Sequence, residues 1–333
     1  MLSSGLDRVT LLPIAENVPL GSRAMMRPSD AARLLLLGAI WGSSFLFIKV
    51  ALEDFGPVLI VAGRLVLGLA LLLGLMRFHG RRLPRDPATL RSLAVMAVVS
   101  NLIPFTLITW GEKSITSGVA SILNATTPLF TAGIASFFVA GDRLTWRRAV
   151  GIAIGFAGVG VIAGVDVNGG SLAGEIAVVL ASLSYGIGFV YARKRVVGGP
   201  HGPLVLSAGQ LLIAGAVATP FAALEVATNA PSLTATAATS VLALGVAGTG
   251  LGYILYYRLV EDVGPTTASF VTYLLPIVGV VLGAVALDES LGWSTLVGSA
   301  MVILGIALAE SAVRSARRAV HPAETPVAGR DPR

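Results

Sequence analysis

The chain has 333 residues, of which 55% are hydrophobic and only 13% charged, and its mean hydropathy is +0.83. A soluble domain carries about 25% charged residues, so this composition excludes a water-soluble globule and makes the bilayer its solvent. The net charge of +6 would point to nucleic acid in a soluble protein, but here the cations lie between apolar runs, where they report topology rather than a nucleic-acid partner.

Cysteine is absent, which excludes disulfides, thiolate metal sites and cysteine nucleophiles. The three histidines, His79, His201 and His321, fall in predicted loops or in the tail. No metal site and no cofactor are expected. Residues 1–24 are polar and lack the long apolar core and cleavage site of a signal peptide. With Met25 and Met26 just ahead of the first apolar run, residues 1–30 are expected to be a disordered or dispensable extension. Residues 312–333, basic and then rich in Pro and Ala, are expected to be a disordered tail.

Spanning the hydrocarbon core takes about 20 apolar residues of helix. Runs of that kind fall at 34–52, 56–76, 93–111, 116–139, 146–165, 173–192, 203–223, 237–257, 265–287 and 293–311. The expected fold is therefore an all-α polytopic membrane protein with ten transmembrane helices, since backbone groups in lipid must bond within their own segment. With the N-terminus inside, the inner connections collect Arg77, Arg81, Arg82, Arg85 and Arg91, then Arg143, Arg147 and Arg148, then Arg193, Lys194 and Arg195, then Arg258. The tail adds Arg314, Arg317 and Arg318. The outer connections hold Lys113 among acidic residues such as Glu53, Asp54, Asp166 and Glu225. That bias sets both termini in the cytoplasm.

The runs also repeat. WGSSFLFIK at 41–49 is echoed by YGIGFVYAR at 185–193, and Ala62-Gly63-Arg64-Leu65 by Ala208-Gly209-Gln210-Leu211. Ala120-Ser121 followed by Pro128 recurs as Ala268-Ser269 followed by Pro276. Asp142, Leu144 and Trp146 recur as Glu289, Leu291 and Trp293, and Gly151 and Gly158 as Gly298 and Gly305. The offset drifts only from 144 to 148. Five helices are written twice, as residues 31–165 and 170–311, and because five is odd the second copy enters the membrane from the opposite side. An inverted repeat of this kind suits a secondary transporter with its site near the midplane between the halves.

The WGSSFLFIK signature, the arginine of AGRL, the prolines of helices 4 and 9 and the acidic-Leu-x-Trp turns together resemble the EamA-type branch of the drug/metabolite transporter superfamily. The resemblance covers residues 33–311. It implies a bacterial inner-membrane carrier that exports amino acids or related small metabolites through a cavity lined mainly by helices 1, 3, 4, 6, 8 and 9.

Several residues carry two readings each. Lys49 either snorkels beside Glu53 or draws anionic groups to the outer mouth. Arg64 lies two turns inside helix 2, where an arginine must be paired or face the protein interior. It is either a tie between helices, to backbone carbonyls or to Glu112, or a substrate ligand. Asn124, Thr126 and Thr127 precede Pro128, and Thr272 and Tyr273 precede Pro276. These are either plain kinks with hydroxyl back-bonding or a site built on carbonyls that the prolines free. Trp41, Phe105, Tyr185 and Tyr253 are expected to line the cavity, with Ser44, while Trp110 and Tyr257 fit an interfacial belt. Asn101 faces either the cavity or a neighbouring helix. The G-x-x-x-G spacing of Gly151 and Gly155 serves either packing inside the monomer or a homodimer made through helices 5 and 10.

No acidic residue falls in the middle third of a predicted helix, so the sequence offers no obvious proton carrier. Gly111-Glu112-Lys113-Ser114 lacks the upstream spacing of a phosphate loop. Neither a nucleophile elbow nor a metal-ligand pair is present, so no enzyme is expected. The expectation is a carrier for a small-molecule substrate such as an amino acid. The alternatives are an exporter of cationic or aromatic drugs and a non-transport receptor or scaffold.

Overall fold

The computed structural model describes residues 27–139, 144–165, 171–196, 199–263, 271–290 and 292–320. Among these residues there are helices and short turns and no strand. The helices form ten rods: α1 (Pro28–Ala51), α2 (Pro57–Phe78), α3 (Pro87–Gly111), α4 (Ser117–Phe138), α5 (Trp146–Val165), α6 (Leu172–Arg195), α7 (Pro203–Asn229), α8 (Ala235–Leu242, Ala243–Leu251 and Gly252–Val263 without a break), α9 (Val271–Ala286) and α10 (Trp293–Val320). The tenth rod runs past residue 311, where the sequence reading ends it. The Asp142 turn, the Ala268-Ser269 pair and Leu291 lie outside the described residues.

Local chemistry explains the starts. Proline opens α1, α2, α3 and α7, where its missing N–H would have no partner anyway. Asp86 caps α3 through Thr89 N at 2.8 Å, and Thr234 caps α8 through Ala237 N at 3.2 Å. Seven rods (α1, α2, α3, α4, α6, α7 and α8) are long and apolar enough to cross a membrane. Apolar Val271–Ala286 and Trp293–Ala309 are shorter. Large apolar side chains stand outward, among them Phe137, Trp146 and Trp293, each at least 80% exposed, as a bundle solvated by lipid requires.

Packing follows a pattern. α1 lies against α8 and α9, and α6 against α3 and α4. α2 lies against α7 and α8, and α7 also against α3. α4 meets α9, and α5 meets α10 along its length. Exchanging the first five rods with the last five turns each of these pairs into another of them or into itself. Close approaches obey the same exchange. A Cβ built on Gly248 of α8 would stand 3.1 Å from Ser44 Oγ of α1, and one on Gly188 of α6 would collide with Ser100 Oγ of α3. Serine and glycine have swapped helices while keeping the contact.

The glycines of α5 are used against α10 of the same chain. A Cβ on Gly151 would come within 2.6 Å of Gly305 O and Ala309 N, and one on Gly158 within 2.6 Å of Gly298 O. Backbones approach this closely only where both helices carry small residues.

Three rods depart from α geometry. α3 is π-helical over Val98–Leu102 and α8 over Ala243–Leu251, so the departures fall at matching places in the two halves. In α3, Pro104 cannot donate to the carbonyl four residues back. In α8, Thr249 Oγ1 donates 3.0 Å to Leu244 O, five residues back. α4 is interrupted at Ala125–Thr126, just before Pro128. π-helical segments inside α-helices recur at functional sites.

Candidate functional site

The two π-helical turns face a cluster of polar and aromatic side chains. Arg64 of α2 is 6% exposed. Its Nε donates 3.3 Å to Thr249 Oγ1 in the π turn of α8, and its guanidinium carbon sits 3.7 Å from the centre of the Phe105 ring of α3. Among the described residues the terminal nitrogens of Arg64 have no hydrogen-bond partner. Asn101, in the π turn of α3, is fully buried. It donates from Nδ2 to Tyr253 Oη of α8 at 2.8 Å and accepts at Oδ1 from Gln210 Nε2 of α7 at 2.5 Å.

The two halves contribute matching bonds. Arg64 bonds across to the π turn of α8, and Gln210, its counterpart in the repeat, bonds across to the π turn of α3. Trp41 Nε1 donates 3.0 Å to Gly248 O, and Ser184 Oγ donates 2.8 Å to Val99 O. Hydrogen bonds from the first helix of each half thus answer the irregular carbonyls of the other half. Trp41 also packs against Tyr256, with ring centres 5.4 Å apart, and Tyr185 stacks with Phe189 at 6.4 Å. Ser44 Oγ turns back to Ile40 O at 3.1 Å, beside Gly248. Trp41, Ser44, Arg64, Asn101, Phe105, Tyr185 and Tyr253 therefore meet around one centre.

The kink residues are placed differently. The carbonyls freed ahead of Pro128 are answered locally. Leu123 O accepts from Thr126 Oγ1 at 2.6 Å and Ser182 Oγ at 3.1 Å. Asn124 O accepts from Thr127 Oγ1 at 2.8 Å. What stays open is the side-chain Oδ1 of Asn124, which is buried and has no hydrogen-bond partner. Pro276 lies inside an unbroken α9. Thr272 is half-buried, and Tyr273 packs against the small apolar cluster of Ala125, Leu129, Val302 and Ile306, between α4 and α10.

One end of the bundle is fastened by charge. Lys49 Nζ donates to the carbonyls of Glu112 at 2.7 Å and Ile115 at 2.8 Å; it is turned into the protein rather than toward headgroups. Glu289 accepts from Ser117 N at 2.8 Å, Ser117 Oγ at 2.9 Å and Gly118 N at 3.1 Å. Its carboxylate thus sits on the N-terminus of α4, where orphan amides and the helix dipole favour an anion. Glu225 of α7 does the same for α2, accepting from Leu59 N at 2.6 Å. Asp54 accepts from Thr234 Oγ1 at 2.5 Å and Ser232 Oγ at 2.8 Å, and these hydroxyls hold its carboxyl below the usual carboxylate range. At the other end Arg33 of α1 pairs with Asp262 of α8, and His201 lies 3.2 Å from Asp86.

Gln210 and Thr249 were not singled out in the sequence as site residues. The signal that finds Gln210 is its repeat partner: the glutamine stands where the first half has its buried arginine. Thr249 has only the glycine-rich run GVAGTG around it.

Apolar helices of membrane length packed around a buried arginine are those of a polytopic membrane protein. The chain belongs to the EamA-like transporter family, whose model matches it twice, over residues 31–164 and 172–310. It is 31% identical over 286 residues to the uncharacterized inner membrane transporter YedA of Escherichia coli (strain K12), covering 82% of this chain and 86% of that one. It is 28% identical over 307 residues to a probable terminal-alkyne amino-acid exporter of Streptantibioticus cattleyicolor, covering 88% and 97%. A solved crystal structure at 19% identity superposes with a TM-score of 0.61 over 87% of this chain and 98% of its own, a likeness of fold alone.

Proposed function

We propose that this chain exports small amino-acid-like metabolites across the bacterial cytoplasmic membrane by alternating access. All ten rods cross the bilayer as two inverted five-helix repeats, with both termini in the cytoplasm. The arginine-rich connections support that orientation, and the exchange of helix pairs between halves supports the repeat. On this orientation the end fastened by Lys49, Glu225 and Glu289 is the outer one.

One observation carries the substrate class. Arg64 is buried at the seam, lies over the Phe105 ring, hydrogen-bonds through Nε, and keeps its two terminal nitrogens without hydrogen-bond partners among the described residues. A guanidinium offered this way matches a carboxylate in bidentate geometry. Asn101, Gln210 and Tyr253 hold the opposing polar surface, and Trp41, Phe105 and Tyr185 supply apolar walls. A cationic drug would have to sit against a buried arginine, which opposes that alternative. The probable terminal-alkyne amino-acid exporter among the relatives agrees with a carboxylate-bearing solute.

The test is counterflow in proteoliposomes loaded in turn with neutral amino acids, purines and cationic drugs. Amino acids should exchange, and Arg64→Lys should lower that exchange by about tenfold or more, since losing one charge-assisted bond of a pair costs about 1.5–3 kcal/mol. Exchange of drugs and not amino acids, or normal exchange by Arg64→Lys, overturns the reading.

A further inference from the structure

Glu112 stands apart from the acids around it. It opens the turn after α3 and is fully buried. Neither of its carboxylate oxygens has a hydrogen-bond partner. At the same end of the bundle Asp54, Glu225 and Glu289 all accept hydrogen bonds. An ionised carboxylate left bare in a dry site is costly, and proteins with such a group neutralise it.

The groups that face it come from every side. Lys49 approaches from α1, Arg64 from α2 and Glu289 from the turn between α9 and α10. On α6, Glu175 follows Gly174, whose carbonyl would lie 2.7 Å from a Cβ on Gly111. The neighbouring start of α4 offers the neutral Ser117. Lys49 is the telling partner. Its ammonium has three donors, and two of them go to the carbonyls of Glu112 and Ile115 rather than to the carboxylate beside them. That is the arrangement expected beside a neutral carboxyl.

We infer that Glu112 is the proton-binding group that couples solute movement to the proton gradient, protonated while the Lys49 end is closed. The inference rests on the alternating-access reading above. Burial raises the carboxyl well above the usual carboxylate range, Lys49 pulls it back down, Glu289 pushes it up, and Arg64 pulls it down. The step is a simple dissociation: Glu112–COOH gives Glu112–COO⁻ and a proton. The carboxylate then competes with the two carbonyls for Lys49. The Glu112 carboxylate belongs to the same turn, so the bond Lys49 gives up is the one to Ile115 O; loss of the proton thus rearranges the joint between α1 and the turn between α3 and α4, and a proton taken up there restores it. A cycle that takes the proton from outside and releases it inside drives the solute outward.

Two measurements test this separately from the choice of solute. Infrared spectroscopy of the purified full-length protein should show a protonated-carboxyl band that persists at neutral pH and is absent in Glu112→Gln. In Lys49→Met the same band should titrate at a higher pH than in the wild type, because a cation that favours the carboxylate is gone. Absence of a Glu112-dependent band, or an unmoved titration in Lys49→Met, overturns the inference. In proteoliposomes, Glu112→Gln should keep amino-acid counterflow while losing uptake driven by a pH gradient; gradient-driven uptake that survives the substitution also overturns it. If no amino acid shows counterflow in the wild-type protein, the carrier reading fails, and the infrared titration still decides Glu112.

Discussion

Glu289 is the place to perturb the balance between the two faces. Its carboxylate joins the turn between α9 and α10, in the second half, to the first turn of α4, in the first half, through three hydrogen bonds of 2.8–3.1 Å. Glu289→Gln keeps the shape but removes the charge and puts an NH₂ where two donors now point. A hydrogen bond to a charged group contributes about 1.5–3 kcal/mol and a charge at a helix N-terminus about 0.3–1 kcal/mol. Solvation of the carboxylate in the open state offsets part of this, leaving about 1–2 kcal/mol in favour of closure. Losing it should raise the open population about 5- to 30-fold. The natural absence of cysteine supplies the assay, because a single Ser121→Cys can be read without background. Ser121 is fully buried and lies against Gly279 of α9, one turn below the latch. In intact cells a membrane-impermeant maleimide should label it about 5- to 30-fold faster when Glu289→Gln is added. An unchanged rate would refute the latch and with it the assignment of this end as an outer gate.

Gln210→Leu leaves the fully buried Asn101 without its 2.5 Å partner at Oδ1, so the melting free energy in detergent should fall by about 1–3 kcal/mol; no loss would show that the network is not structural. Gly151→Val drives a side chain into the backbone of α10, where a Cβ already meets Gly305 O at 2.6 Å, and should lower stability by about 1–3 kcal/mol or more. Gly133→Ala, with open space at its Cβ, should be tolerated, and equal thermal shifts for the two would argue against the α5–α10 packing. Cysteines placed at Asp142 and Glu289 should be labelled from opposite sides of the membrane; labelling from one side would abolish the inverted repeat. Asp86 is pulled down to about 2 by the side chain and backbone of Thr89. A depressed carboxylate stabilises fully above its unfolded value of 3.8 and loses that effect as pH falls through the folded one. The melting-temperature gap between wild type and Asp86→Ala should thus be constant at neutral pH and close as pH falls from 3.8 toward 2.

The helices were legible because length and apolarity are all that a bilayer demands, and the doubled motifs were legible because they are written in order. The face of each helix was not legible. In water a polar stripe marks the exposed side of a helix, but in lipid both sides are apolar, so Arg64 could be read equally as a tie or as a ligand. The kinks show the same limit. Proline at 128 and 276 reads identically, yet α4 breaks and α9 does not, and the freed carbonyls of α4 are taken by Thr126, Thr127 and Ser182. Glu112 sits near a helix end, which in sequence means an exposed carboxylate. Its burial comes from α1 and α6 closing over that end, which residue spacing along α3 does not encode.

The divergence at the seam is the last clue to what passes through it. Two halves related by an exchange would, with identical sequences, build a site with two like ends. Around the centre most contacts have kept that likeness: Ser44 with Gly248 against Ser100 with Gly188, and Trp41 to Gly248 O against Ser184 to Val99 O. At one matched pair the charge differs. The first half holds Arg64 and the second holds Gln210, each bonded to the irregular turn of the other half. A buried cation is costly to keep, so its survival on one side only fits a solute with a carboxylate at one end and a neutral or donor group at the other. The double variant Arg64→Gln with Gln210→Arg moves the charge to the matched position without changing composition. If the site is built for a solute with unlike ends, counterflow of amino acids should recover in part relative to Arg64→Gln alone, because the exchange carries one position onto the other. No recovery in a variant that still folds would show that Arg64 acts only in its own surroundings, beside Phe105 and Thr249.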